Sequence, residues 1–289
     1  MSRRRLVGFA LAAIAIVYVV QLAFTYSRFT GMYVEHTPTL VDSCDLSFRM
    51  GGAEDLVSIP GEGIFISATD RADRVKGFVD GIYWLPNGGE PLFVSTTAPA
   101  NFHPHGIDLF ESAEGLFLYV VSHDGELYGK SDADMGHSIE VFQVEDDRSL
   151  TYVKSIRDRL IRSPNDVTVL DHDRFFFTND WRFLRGPGHF FENNLLLPIS
   201  DVGFHDHGET RIVAKGLNYP NGIALSDDNT TLWVNEIRGR RIRQFSVSPD
   251  SGDIEEQKKI PVATTPDNVT VTPDGRLLGA VSVSFFSWA

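Results

Sequence analysis

One pattern, written five times into this chain, limits its fold more than any other feature. From Gly51 onward a polar pair opens an alternating apolar segment, a turn built on Gly, Asp or Asn follows, and a second apolar run completes the unit. The copies open at Glu54-Asp55-Leu56, His105-Gly106-Ile107, Asn165-Asp166-Val167, Asn221-Gly222-Ile223 and Asp267-Asn268-Val269, at spacings of 51, 60, 56 and 46 residues. Four of them directly follow a proline: Pro104, Pro164, Pro220 and Pro266. In the fourth copy the turn is Ser226-Asp227-Asp228-Asn229 and the returning run Leu232-Trp233-Val234; in the fifth they are Pro273-Asp274-Gly275 and Leu277-Leu278. Apolar alternation interrupted by turn residues reads as hairpins of short strands. Helical solenoids of similar period carry a 3.6-residue periodicity that residues 50–289 lack, so the expected fold is all-β, a β-propeller with one four-stranded blade per repeat.

Composition narrows the partners. With 289 residues, 42% of them hydrophobic, the chain can bury a core without disulfides, and disordered or collagen-like states are excluded. Its 39 acidic against 26 basic residues leave a net charge of −13, which repels phosphate backbones and excludes nucleic acid as a partner. Acidic excess by itself is only a solvated surface; the placement of the carboxylates decides whether it binds cations.

Arg3, Arg4 and Arg5 precede an uncharged, mostly apolar stretch over residues 6–26, which at 1.5 Å per residue spans roughly the 30 Å core of a bilayer. A secretory signal has a shorter apolar region of about 7–15 residues and a small-residue cleavage motif, whereas this stretch ends in Gln21-Leu22-Ala23-Phe24-Thr25-Tyr26. The expected organisation is therefore an uncleaved signal anchor over residues 1–27, a linker and first strand over 28–49, and the propeller over 50–289. The arginines stay cytoplasmic, so the propeller faces the lumen or the outside, secretion with the segment retained being the alternative. Cys44, the one cysteine, then lies in a disulfide-forming compartment with no partner in the chain. Asn229-Thr230-Thr231 and Asn268-Val269-Thr270 are glycosylation sequons, and the second should carry no sugar if Asn268 holds a metal inside the tunnel.

Rotation about a propeller axis brings equivalent positions to one region, so Glu54, His105, Asn165, Asn221 and Asp267 are expected to converge. Two carboxylates and two amides, with Asn268 adjacent, make an oxygen-rich set without thiolate. Such a set suits calcium, which takes about 6–8 oxygens at roughly 2.3–2.6 Å, rather than zinc. Asp55 and Asp166, the second residues of their copies, alternate to the other side and are placed for a second ion deeper in the tunnel, with a backbone carbonyl near Ile107. A polar residue at a single turn ordinarily bonds to backbone amides and fixes that turn; five in the same phase favour convergence. His105 is a poor calcium ligand in a ligand position and fits better as a base, with His123 as its relay and His103 as the alternative. His205 and His207, flanked by Asp206 and Gly208, read as a solvated turn and receive no role. Residues 182–208, with Gly186, Pro187 and Gly188, read as an irregular insertion over the tunnel mouth in which Phe190 and Phe191 pack the loop.

Gly52-Ala53-Glu54-Asp55-Leu56, Pro104-His105-Gly106-Ile107-Asp108, Asn165-Asp166-Val167, Thr178-Asn179-Asp180, Asn221-Gly222-Ile223 and Asp267-Asn268-Val269, in this order, resemble the paraoxonase/arylesterase family over residues 44–271. The resemblance implies a six-bladed propeller with two calcium ions in its tunnel, hydrolysing lactones, aryl esters and sometimes organophosphates, and keeping its amino-terminal segment as a membrane or lipid anchor. Carried onto this sequence, it implies a catalytic calcium held by Glu54, Asn165, Asn221, Asp267 and Asn268, a structural calcium held by Asp55, Asp166 and the Ile107 carbonyl, and His105 with His123 as a catalytic dyad. Two departures stand beside it. The family's propeller continues well beyond the position of Asn268, whereas this chain ends at Ala289, and the family joins its amino-terminal cysteine to a carboxy-terminal one, of which only the first has a match in Cys44. The expectation is a closing blade left incomplete, as in a truncated product, with strand edges open to pairing. That departure favours a rival reading, an inactive membrane-anchored propeller that binds a partner. A sugar lactonase of the wider set of six-bladed calcium propellers is the other rival, opposed by the anchor and the His105/His123 pair.

Overall fold

The computed structural model describes residues 3–29, 50–70, 76–123, 136–272 and 274–282. Cys44 and the strand expected before residue 50 lie outside them. Helix α1 (Arg3–Phe29) is apolar along its length with its large side chains exposed, and its Arg3–Ser27 segment is long and apolar enough to cross a membrane.

Every repeat becomes one antiparallel meander. The first sheet is β1 (Ala53–Ile59), β2 (Gly63–Ala68), β3 (Gly81–Pro86) and β4 (Leu92–Phe93); the second is β5 (Pro104–Ser112), β6 (Gly115–His123), β7 (His137–Val144) and β8 (Leu150–Ile156). The third is β9 (Pro164–Asp171), β10 (Arg174–Asn179), β11 (Ser200–Asp206) and β12 (Glu209–Leu217); the fourth is β13 (Pro220–Leu225), β14 (Thr231–Glu236), β15 (Arg241–Ser248) and β16 (Asp253–Pro261). β17 (Thr265–Val271) and β18 (Leu277–Ser282) pair as the opening hairpin of a fifth. The first strands β1, β5, β9, β13 and β17 neighbour one another in succession, which is the arrangement of a β-propeller around its tunnel. A sixth blade has no counterpart among the described residues.

The core lies between blades, and period-two alternation builds it. Along β10, Phe175 and Phe177 pack toward the second blade with Tyr119 and Val141, while Phe176 packs toward the fourth with Phe204, Leu232 and Phe245. Phe65, Trp84, Leu118 and Phe142 fill the space between the first two blades. Each such side chain contributes about 1.5–3 kcal/mol on burial.

Residues 182–208 differ from the irregular insertion expected of them. They contain a nine-residue helix, α2 (Gly186–Asn194), entered through Pro187 in its first turn, followed by β11. Glu192 is buried and pins the helix: its carboxylate accepts the amides of Arg182 and Phe183, both at 2.9 Å, and the Ser200 hydroxyl at 3.0 Å. Phe190 and Phe191 do not pack the loop; they are 60% and 52% exposed and meet edge to face at 5.5 Å. Helix α1 runs beside this segment, with the Tyr18 hydroxyl donating to the Leu195 carbonyl at 3.1 Å.

Candidate active site

The polar pairs that open the repeats are β-bulges. Pro104 stands opposite Ser122 and Ile107 opposite Val120, so His105 and Gly106 together oppose a single residue. The ladder slips in the same way at Asn165-Asp166, at Asn221-Gly222 and at Asp267-Asn268, and at Glu54 in the first copy. A bulge bends its strand and re-aims the extra side chain, and the preceding proline, first in its strand at Pro104, Pro164 and Pro220 and second at Pro266, forfeits little of the ladder. The repeat thus gathers five re-aimed polar side chains at the same end of five adjacent inner strands.

Residues opposite the bulges fix the ring to its neighbours. The Ser67 hydroxyl donates to the His105 carbonyl, Thr178 Oγ1 to the Asn221 carbonyl at 2.7 Å, and Asn235 Nδ2 to the Asp267 carbonyl at 2.6 Å. In each case the second strand of one blade holds the first ring residue of the next. Sequence reasoning missed these three, although a polar residue ending an apolar run, as in Phe177-Thr178 and Val234-Asn235, was the available signal. Glycine allows the close approach: a Cβ on Gly106 would lie 2.5 Å from Asp166 Cα, and one on Gly222 would lie 2.7 Å from both Asn268 Cα and the Asp267 carbonyl oxygen.

The second residues form the deeper layer. Asp55 Oδ2 accepts the Ile107 amide and Asp166 Oδ2 the Ile223 amide, both at 2.9 Å, so each carboxylate reaches into the next or a neighbouring inner strand. Burial pushes Asp55 up to about 7 and Asp166 well above the usual carboxylate range, with the charge of Asp55 the second cause for Asp166. Asp108, pushed up to about 6 by burial, accepts the Val169 amide at 2.7 Å and Thr168 Oγ1 at 3.1 Å. Asp55, Asp108 and Asp166 line a cavity of about 290 Å³ bounded by residues of all five inner strands.

At the ring itself, Asn165 Oδ1 and Asn221 Oδ1 are buried and have no hydrogen-bond partner among the described residues. Buried polar atoms are nearly always satisfied, so such a pair calls for a missing partner. Asn268 Nδ2 donates to the Glu54 carbonyl at 2.7 Å, which joins the last inner strand to the first. No group of three His, Cys, Asp or Glu side chains converges as a metal cluster among the described residues. The ring's own donors are two carboxylates and three amides. Orphaned amide oxygens at the ring and two carboxylates beneath it, whose burial disfavours their ionised forms, fit a hard divalent cation, which would satisfy the former and favour the ionised form of the latter.

Three histidines extend from the ring through one blade. His105 Nε2 lies 3.4 Å from Glu54 Oε2, its Nδ1 lies 3.1 Å from His123 Nε2, and His123 Nδ1 lies 2.7 Å from His137 Nδ1. The structure brings His105 against His123 and adds His137. His103, the alternative relay, is instead engaged by Asp80 Oδ2 at 2.5 Å. His205 is not in a solvated turn: it is buried in β11, stacked on Phe175 at 4.9 Å and bonded to Thr210 Oγ1 at 2.9 Å, while His207 occupies the turn with φ of 45°. Asp180, to which the sequence assigns no role, lies against the ring, accepting from the Ser163 and Tyr219 hydroxyls and lying 3.5 Å from Asn165 Nδ2; burial raises its carboxyl from the ordinary aspartate value.

Residues 92–282 match the profile of the arylesterase family. The chain belongs to that family. Among its relatives, human serum paraoxonase/lactonase 3 is 27% identical over 288 residues, covering 93% of this chain and 77% of the relative. Rat serum paraoxonase/arylesterase 1 is 26% identical over 283 residues with the same coverage. Two solved propellers are similar in fold alone: a putative gluconolactonase (16% identity, TM-score 0.51, 80% of this chain and 72% of that one) and the calcium-binding protein regucalcin from Agrobacterium tumefaciens (12% identity, TM-score 0.51, 80% and 68%).

Proposed function

We propose that this protein hydrolyses aryl esters and lactones in a calcium-dependent reaction at the end of the tunnel where the five bulges meet. The observation that carries the reading is His105 standing between Glu54 and His123, in a ring where Asn165 and Asn221 present buried oxygens with no partner among the described residues. Glu54, Asn165, Asn221, Asp267 and Asn268 would hold the catalytic ion, and Asp55, Asp166 and the Ile107 carbonyl a structural one. When bound, calcium supplies polarisation of the substrate carbonyl and stabilisation of the oxyanion.

The chain's own residues handle the proton. His105 takes it from the attacking water, and His123, held against its far nitrogen, fixes the imidazole's orientation. The same proton returns to the departing alkoxide or phenoxide oxygen, so ester and water give acid and alcohol without a nucleophilic serine. Helix α1 serves as a signal anchor with its arginines in the cytoplasm and the propeller lumenal or extracellular, and the exposed Phe190 and Phe191 of the adjacent α2 meet the bilayer surface.

Asp267→Ala tests the reading. Hydrolysis should be lost together with tight calcium binding and with the folding stability that the ion contributes. Full activity in that variant would remove Asp267 from the site.

A further inference from the structure

We infer that His137 is a positioning residue for the hydrolysis proposed above, holding His123, and through it His105, in the tautomer that can accept a proton. The role in turnover rests on that reading of the function; the hydrogen-bond chain itself does not. The three imidazoles sit on three consecutive strands of one blade, β5, β6 and β7, and run outward from the ring across the sheet. His123 and His137 are directly opposed in the β6–β7 register, and Pro104, next to His105, stands opposite Ser122, next to His123. Their rings meet at 88° with centroids 4.8 Å apart, an edge-on approach that brings the two Nδ1 atoms to 2.7 Å. His137 is itself buried, at 8% exposure.

A neutral imidazole has one N–H and one bare nitrogen, so each contact in the chain needs one donor and one acceptor. That requirement couples the three tautomers. For His105 Nε2 to be bare and face a water, Nδ1 must carry the proton and donate to His123 Nε2. His123 then carries its own proton on Nδ1 and donates it to a bare His137 Nδ1. The opposite set places a proton on His105 Nε2, where it faces Glu54 and cannot accept. With His137 accepting, the competent set has both its hydrogen bonds made; without it, a proton on His123 Nδ1 loses this partner inside a buried site. The closest template is the carboxylate that orients the histidine of a hydrolase triad, a residue that never touches substrate yet fixes which nitrogen is bare.

The test uses the full chain in detergent micelles, calcium-loaded, as wild type, His137→Phe and His137→Asn, each checked for cooperative melting. Two readouts are taken: kcat and KM for phenyl acetate, and imidazole ¹⁵N spectra of histidine-labelled protein. His137→Phe fills the space without an acceptor and should lower kcat by roughly ten- to a hundredfold, the usual range for an orienting partner, with KM within about twofold. His137→Asn, whose amide places a polar atom near the lost Nδ1, should recover most of kcat. In the spectra, His123 should pass from one fixed tautomer in the wild type to a mixture in His137→Phe. Unchanged kcat and an unchanged His123 tautomer in a folded His137→Phe would overturn the assignment. If the wild type hydrolyses nothing, the functional reading fails on its own, and the spectra still decide whether His137 sets the tautomer of His123.

Discussion

Blades two and four open on the same frame. Residues 104–107 and 220–223 both read Pro-X-Gly-Ile, both make the two-for-one bulge, and both press their glycine against the next inner strand. They differ at X. His105 carries an imidazole with one nitrogen near Glu54 and the other on His123, whereas Asn221 ends in a buried oxygen with no partner among the described residues. The bulge, set by backbone register, decides where the side chain is aimed. Under the proposed function, the residue at X decides whether that place handles a proton or holds a cation.

The sharpest way to break this comparison is to make the frames identical. His105→Asn copies blade four into blade two and should lower kcat by about 10²–10⁴, the range for a general base, with calcium affinity nearly intact by calorimetry. Loss of calcium binding in that variant would make His105 structural instead.

A second test acts on the carboxylates beneath the frames. In calcium-free protein the Asp55 carboxyl titrates near 7 when folded against 3.8 as an ordinary side chain, so between those values the folded state binds more protons than the unfolded one. Stability from this group is full below about pH 4 and falls as pH rises through about 7, and Asp166 is shifted in the same direction. Melting curves with chelator across this window should show that decline, and calcium, which favours the ionised forms, should flatten it. A chelated protein that gains stability over the window would contradict the buried carboxylate pair.

The glycines should behave alike because they belong to the shared frame. Gly106→Ala and Gly222→Ala each force a Cβ into the neighbouring strand and should cost about 1–3 kcal/mol in denaturant unfolding. A cost confined to one of them would show that the two frames are not equivalent. A cost of similar size belongs to the clamps: Thr178→Val, which removes both the bond to the Asn221 carbonyl and the one from the Asp166 amide, should cost about 1–3 kcal/mol in the same assay.

What could be read from the residues follows from range. Strand phase and the ring positions repeat within short windows, so Asn165, Asn221 and Asp267 stand out as soon as the copies are aligned. His137 does not, because its contact with His123 depends on the β6–β7 register, and nothing local to Gly136-His137-Ser138 announces it. Ser67 and Thr178 are hidden for the same reason: their acceptors are carbonyls on the next blade. Helix α2 spans only nine residues, too few turns for a 3.6-residue period to show, and its Gly186 and Pro187 read as breakers although proline suits a first turn. His205 was drawn into the turn by Asp206 and Gly208, but the strand runs to Asp206 and keeps the ring in the core.

Hydrolysis of phenyl acetate and δ-valerolactone by the full chain in detergent, measured with calcium and again with excess chelator, tests the proposed chemistry most directly. Turnover should appear with calcium, vanish on chelation and return when calcium is restored. Turnover that survives complete calcium removal would contradict the role of the ion, and a folded, calcium-loaded protein that hydrolyses neither substrate would point to a propeller that binds rather than cleaves.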